Sequence, residues 1–295
     1  MGGGGDVVGA LAVARVCESL GTPFVLGGVA WERLPIDPHP GPRPLAQIRG
    51  GRPLGEAAVL AGPETATPEG VAFSEARMAV HLGAETVLID VAGGTAGAAA
   101  GIAGAVTELG CDLLVCVDVG GDVLAHGDEP GLASPLCDAV MVAAALNVAG
   151  RVKPLLAVIG PGCDGELTAG EVLARVAELA RGGAWLGTWG LAPETAAELD
   201  AAAGLVPTEA SLQVVRCARG EVGHALIRGG RRSVELGPVG ALTFVFDPLA
   251  APPEALALAR AVAKAGSIEQ GRAALAARGV KTELDYERDR TGATV

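Results

Sequence analysis

A run of glycines, Gly2, Gly3, Gly4 and Gly5, leads into Asp6 and then straight into an apolar helical pattern over residues 7–15. Glycine has no Cβ, so such a run lets the backbone pass close to a ligand and adopt conformations that other residues avoid. The first turn of a helix leaves its N–H groups without intrahelical partners, and the helix dipole favours an anion there. Residues 2–6 therefore predict an anion site suited to phosphate. A loop of this kind takes its geometry from a strand that feeds it and a helix that leaves it. The helix pattern is present, but no strand precedes it in the 295 residues: either a strand lies ahead of Met1, the reading favoured here, or the loop begins at a free terminus.

Downstream, short apolar runs alternate with helical patterns. Residues 24–29, 86–91, 113–119 and 154–159 read as strands, and 67–83, 96–109, 134–148 and 168–181 as helices. Ser134 followed by Pro135, and Thr168, supply N-cap signals. Continuously apolar strands between helices argue for a parallel sheet covered on both faces. The fold class expected is α/β, a mostly parallel sheet of Rossmann-like layering. Residues 1–182 form its ligand-binding core, and 183–295 an extension of short strands and helices packed on it or continuous with it. The stretch 185–189 reads as a loop. The segment 31–44 is proline-rich, which excludes helix and marks a long loop of the kind that often carries function. The charged tail, 283–295, is expected to fray at its end.

Formal net charge is −12, from 34 acidic and 22 basic residues, which argues against nucleic acid as a partner. The basic cluster Arg228, Arg231 and Arg232 reads as a solvated hairpin. The six cysteines form no C-x-x-C pair and suit a reducing cytosol as small buried hydrophobes. The start shows no secretory pattern and no apolar run is long enough for a membrane span, so a cytoplasmic protein without a membrane partner is expected.

Ligands of open parallel sheets gather beyond the carboxyl ends of the strands. Candidates at such ends are the Gly2–Asp6 loop, the Trp31, Glu32 and Arg33 group, and Asp90 with Gly93 and Gly94. Asp118 with Gly120, Gly121 and Asp122, and Asp164 with Glu166, complete the set. Taken singly each is ordinary turn punctuation with a capping Asp; together they predict one rim. The densest polar stretch contains Asp118, Asp122 and His126. Clustered carboxylates repel unless a cation or proton intervenes, and hard oxygen donors suit Mg²⁺. Asp118 and Asp122 are thus candidate Mg²⁺ ligands and, with His126, candidate catalytic groups; the plainer alternative is a solvated loop with a capping Asp. In the 31–44 loop, Arg33 and Arg43 are able to clamp an anion, and Asp37 and His39 to exchange protons. The alternative there is a rigid cover that packs Trp31 on the sheet. The glycine run lacks the Lys of a P-loop, and no dinucleotide fingerprint or nucleophile elbow is present.

The glycine run with Asp6, the stretch 27–33, the prolines and arginines of 37–43, and the Asp118 to Gly127 segment resemble the family catalogued as domain of unknown function 1152. The resemblance implies an α/β cytoplasmic protein and carries no reaction with it. The functional expectation is a small-molecule enzyme acting on a phosphorylated or nucleotide-like substrate, with Mg²⁺ as the candidate cofactor and a homo-oligomer as a compatible assembly. The contrasting expectation is a non-catalytic ligand-binding or sensor protein of the same fold.

Overall fold

The computed structural model describes residues 1–292. In chain order its main elements begin with α1 (Asp6–Ser19), β1 (Gly27–Val29), β2 (Arg49–Pro53), β3 (Ala58–Ala66), α2 (Ser74–Leu82) and β4 (Thr86–Ile89). They continue with α3 (Gly94–Leu109), β5 (Leu113–Val119), α4 (Pro135–Asn147), β6 (Lys153–Ile159), α5 (Ala169–Arg181) and β7 (Trp185–Gly190). The last third adds α6 (Pro193–Ala203), α7 (Ala210–Ala218), β8 (Gly223–Ile227), β9 (Arg232–Leu236), β10 (Leu242–Phe246), α8 (Ala257–Val262), α9 (Ile268–Ala276) and α10 (Glu283–Thr291). The end of the tail, where fraying is expected, falls at 293–295, outside the described residues.

The strands build two four-stranded sheets, β1-β4-β3-β2 and β5-β6-β10-β7, and a separate β8-β9 hairpin. Among the described residues only two pairings are parallel, β1 with β4 and β5 with β6. The α/β class holds, and the sheets are mixed rather than mostly parallel. Two insertions explain the difference. The β2–β3 hairpin adds to β4 antiparallel, and β10 returns from the last third to lie antiparallel between β6 and β7. The hairpin escapes a periodicity reading because Gly50, Gly51, Pro53, Gly62 and Pro63 interrupt its alternation. Residues 185–189, expected as a loop, form β7, an edge strand with Trp185 and Trp189 exposed. Strands β7 and β10 both come from beyond residue 182, yet share the sheet of β5 and β6.

Small residues set the packing. On α3, a Cβ at Gly104 would lie 2.8 Å from the Leu54 carbonyl oxygen, and one at Gly101 would fall on Ala57. The helix can therefore lie directly against backbone, which a larger side chain would prevent. On α4 every residue from Pro135 to Ala145 is buried, as a helix apolar nearly all round must be. Its single charged residue, Asp138, stands out for that reason. At the start of α5, Thr168 and Glu171 form the reciprocal cap expected of Thr168. Thr168→Ala is expected to lower stability by about 1 kcal/mol, readable as a shift of the urea midpoint at unchanged slope.

Candidate functional site

A cleft of about 1170 Å³ opens where β5 and β6 end and where α1 and α4 begin. Its geometry follows from the turns. β5 ends in Asp118-Val119, and the chain reverses through Gly120 and Gly121 at φ of 126° and 109°, conformations natural to glycine. The Gly121 N–H donates to Asp118 at 2.8 Å. After β6, Gly160 and Gly162 turn the chain so that Asp164 and Glu166 face the same opening. A Cβ at Gly120 would land on the Asp164 carboxyl group. Gly120→Ala is therefore expected to cost about 2 kcal/mol through strain and overpacking and to displace Asp164, seen as a lower melting temperature.

Six carboxyl groups converge there. Asp6, Asp118 and Asp138 offer oxygens within 4.8 Å of one another, as do Asp122, Asp164 and Glu166. Five of the six are buried and Asp6 is half-buried. Burial, reinforced by Asp6, pushes Asp118 up to about 7. Burial and the neighbouring carboxylates also push Asp122, Asp138 and Asp164 well above the usual range. Oδ1 of Asp138 is buried without a hydrogen-bond partner. Glu166 accepts from the backbone N–H groups of Ala133 and Ser134 at 2.7 and 2.8 Å and thereby anchors the entry to α4. The terminal ammonium of Met1 is buried beside the first trio, 3.4 Å from Asp6. Burial disfavours its charge, but Asp6, Asp138 and Asp118 outweigh that and raise it to about 10.

The glycine run lines the mouth of the same cleft. Gly3 and Gly4 adopt φ of 84° and 56°, and the N–H of Gly2 donates to Asp6 at 2.8 Å. Among the described residues, the N–H groups of Gly3, Gly4 and Gly5 have no partner in the protein. Gly5 packs against Thr208, where a Cβ would collide. Arg228, Arg231, Arg232 and Arg290 line the same cleft, with Arg232 lying 3.5 Å from Glu166. The basic cluster of the β8–β9 hairpin thus belongs to the cleft.

The candidates read from sequence divide accordingly. Gly2–Asp6, Glu32, Arg33, Asp118, Asp122 and Asp164 share the cleft. Gly120 and Gly121 shape it from behind. Arg33 borders it, but its guanidinium is held at the Gly2 carbonyl, 3.2 Å from Glu283 and 4.1 Å from the Trp31 ring. Glu32 accepts from the Ser74 N–H at 2.5 Å. The others lie elsewhere. Trp31 is fully buried and donates to Glu287 at 3.1 Å. Arg43 makes two bonds to Asp37, at 2.7 and 2.8 Å, in a buried pair, and the His39 N–H caps Asp37 at 2.9 Å. Much of the proline-rich segment is thus a cover locked by its own charges. Asp90 accepts from Leu45 and Ala92, both at 2.8 Å. Gly93 precedes α3, and a Cβ at Gly94 would fall 2.7 Å from the Ser267 backbone. His126 lies 3.0 Å from Glu178, outside the cleft.

Sequence reasoning overlooks Asp138 and underweights Glu166. The signal for Asp138 is present: a lone acid in the run Leu136 to Ala145, where burial is nearly continuous. Fold and site together define an α/β protein with an acidic, arginine-rimmed, glycine-lipped cleft. The chain belongs to the family described as Protein of unknown function (DUF1152), whose model matches residues 1–291. No curated protein and no solved structure matches it.

Proposed function

We propose that the chain is a divalent-cation-dependent enzyme acting on a phosphorylated or nucleotide-like small molecule, on a Rossmann-like framework in which the strand-end loops carry the chemistry. The observation that carries this reading is the convergence of two carboxylate trios on one cleft whose mouth is lined by unpartnered glycine amides. Carboxylates buried together favour either protons or a hard cation, and Mg²⁺ is the hard cation that retains water while holding phosphate oxygens. Asp6, Asp118 and Asp138 would hold one ion, and Asp122 and Asp164, with Glu166 behind them, a second. Bound cations would supply charge neutralisation at the phosphoryl group and an activated water.

The chain's own residues have separable tasks. The N–H groups of Gly3, Gly4 and Gly5 bind a phosphate at the start of α1. Arg228, Arg231 and Arg290 close over the substrate's remaining charge. Glu166 keeps the α4 entry fixed so that Asp138 points inward. The Asp118 carboxyl group, raised to about 7 with no ion bound, would give up its proton to cation binding, so binding would strengthen as pH rises through neutrality. Calorimetry with Mg²⁺ or Mn²⁺, followed by a panel of nucleotides and sugar phosphates with a phosphate-release assay, tests the reading. Cation-dependent binding and turnover support it. Ligand binding indifferent to cations, without turnover, supports the non-catalytic sensor and defeats the enzyme.

A further inference from the structure

A second cavity, of about 610 Å³, lies between the free edges of β1 and β5, that is, between the two main sheets. Its side walls are those strands, one cover is α1 through Val7, Ala10 and Ala14, and the other is α3 through Ile102 and Ala105. A space bounded laterally by two strand edges and above and below by helices has the shape of a missing sheet strand.

The hydrogen-bonding groups agree. On β5 the Asp112 carbonyl faces β6, accepting from Lys153 at 3.0 Å, so by two-residue alternation Leu113, Val115 and Val117 turn theirs into the slot. On β1 the Leu26 carbonyl and the Ala30 N–H face β4, which turns Gly27 and Val29 the other way. Of the slot-facing groups, the Val29 carbonyl accepts from the Trp31 N–H at 2.7 Å, and the Val117 carbonyl is taken by the backbone nitrogen of Met1 at 2.6 Å. Met1 therefore already sits where the last residue of such a strand would. Glu75, buried on the slot's lining, has neither carboxyl oxygen hydrogen-bonded.

We infer that the slot seats one further β-strand, parallel to β1 and β5 and contributed by polypeptide continuous with Met1, which joins the two sheets into one. Connectivity favours this occupant. A strand ending at Met1 leads through α1 into β1, its new neighbour, and forms the adjacent parallel β-α-β unit whose right-handed form is nearly universal. The sheet order then reverses direction between the new strand and β5, and the acidic cleft lies at that reversal, where open α/β sheets bind ligands. A second copy of the chain would have to thread between α1 and α3. The edge of β5 from Leu113 to Val117 calls for about five residues, roughly 16 Å of strand, rich in Val, Ile and Leu because both faces are covered. In that chain the Met1 nitrogen is a neutral amide. Asp6, Asp118 and Asp138 then lack the buried ammonium and depend on another cation.

Intact-mass spectrometry and N-terminal sequencing of the protein purified from its own cells test the inference. The expected result is a mass above 29.2 kDa, with an apolar run read ahead of Met1. A native chain starting at Met1 or Gly2 overturns it. Hydrogen exchange on recombinant protein gives an independent reading. Amides of Gly27, Leu113 and Val115 are expected to exchange quickly in the 295-residue chain. They should slow at least about tenfold, corresponding to about 1.4 kcal/mol of opening free energy, when five Val/Ile residues precede Met1. A Gly/Ser extension of equal length should leave them fast. Equal exchange in both extended chains, or protection that grows with protein concentration in the unextended chain, overturns the inference, the latter in favour of a second copy.

Discussion

In the presence of a chelator, the folded protein is expected to lose stability as the pH rises from about 4 to about 7, against the usual trend for acid-sensitive proteins. Asp118 moves from an ordinary 3.8 to about 7 on folding, chiefly through burial and the nearby Asp6. Between those values the folded state binds a proton that the unfolded state has released, so stability falls with pH. About three pH units at about 1.36 kcal/mol each give a loss on the order of 4 kcal/mol. Asp122, Asp138 and Asp164 are shifted in the same direction and add to it. Divalent cations should cancel the decline, since the ion takes the place of the protons. Urea unfolding at several pH values, with EDTA or with Mg²⁺, reads both halves. A stability that is flat or rising over this range in EDTA would mean that the buried carboxylates are compensated within the protein.

Asp138→Asn is expected to stabilise the protein and disable it together. The side chain is buried, one oxygen has no partner, and burial and Asp118 oppose its charge. In EDTA at neutral pH the amide removes that cost, and the melting temperature should rise. Cation binding should weaken by at least about 100-fold, the upper range for disturbing a metal site's support, and turnover should fall with it. At a Mg²⁺ concentration of about 100 times its dissociation constant, the wild type gains about 2.7 kcal/mol and the variant no more than about 0.4 kcal/mol. A buried functional group often shows such a trade between stability and activity. Loss of stability in EDTA would instead assign Asp138 a purely structural role.

Much of this architecture was legible before the fold was known. The β5 strand, the start of α4 at Pro135 and the Thr168 cap are local features, and apolar runs and cap residues report them directly; Ser134, by contrast, makes no capping bond and donates its hydroxyl to Glu166. That Asp118 and Asp122 lie close together was legible for the same reason, since both lie on one turn, but the structure sorts them into different carboxylate trios. What was not legible is mostly non-local. Nothing near Leu242 to Phe246 announces that β10 will insert between β6 and β7 and make the sheet mixed. Arg43 looks like a ligand clamp until Asp37 is found to hold it, because a sequence shows charges without their partners. The arginines of the β8–β9 hairpin erred the other way. A short charged run is usually solvated, and only tertiary packing carries Arg232 to Glu166. Asp138 was missed because its role depends on burial rather than on spacing to other acids.

Anomalous diffraction from crystals grown with Mn²⁺ tests the central claim most directly. The account predicts anomalous peaks among Asp6, Asp118 and Asp138 and among Asp122, Asp164 and Glu166, both inside the cleft. Manganese bound only at other surface carboxylates, with those two groups holding no ion, would contradict it.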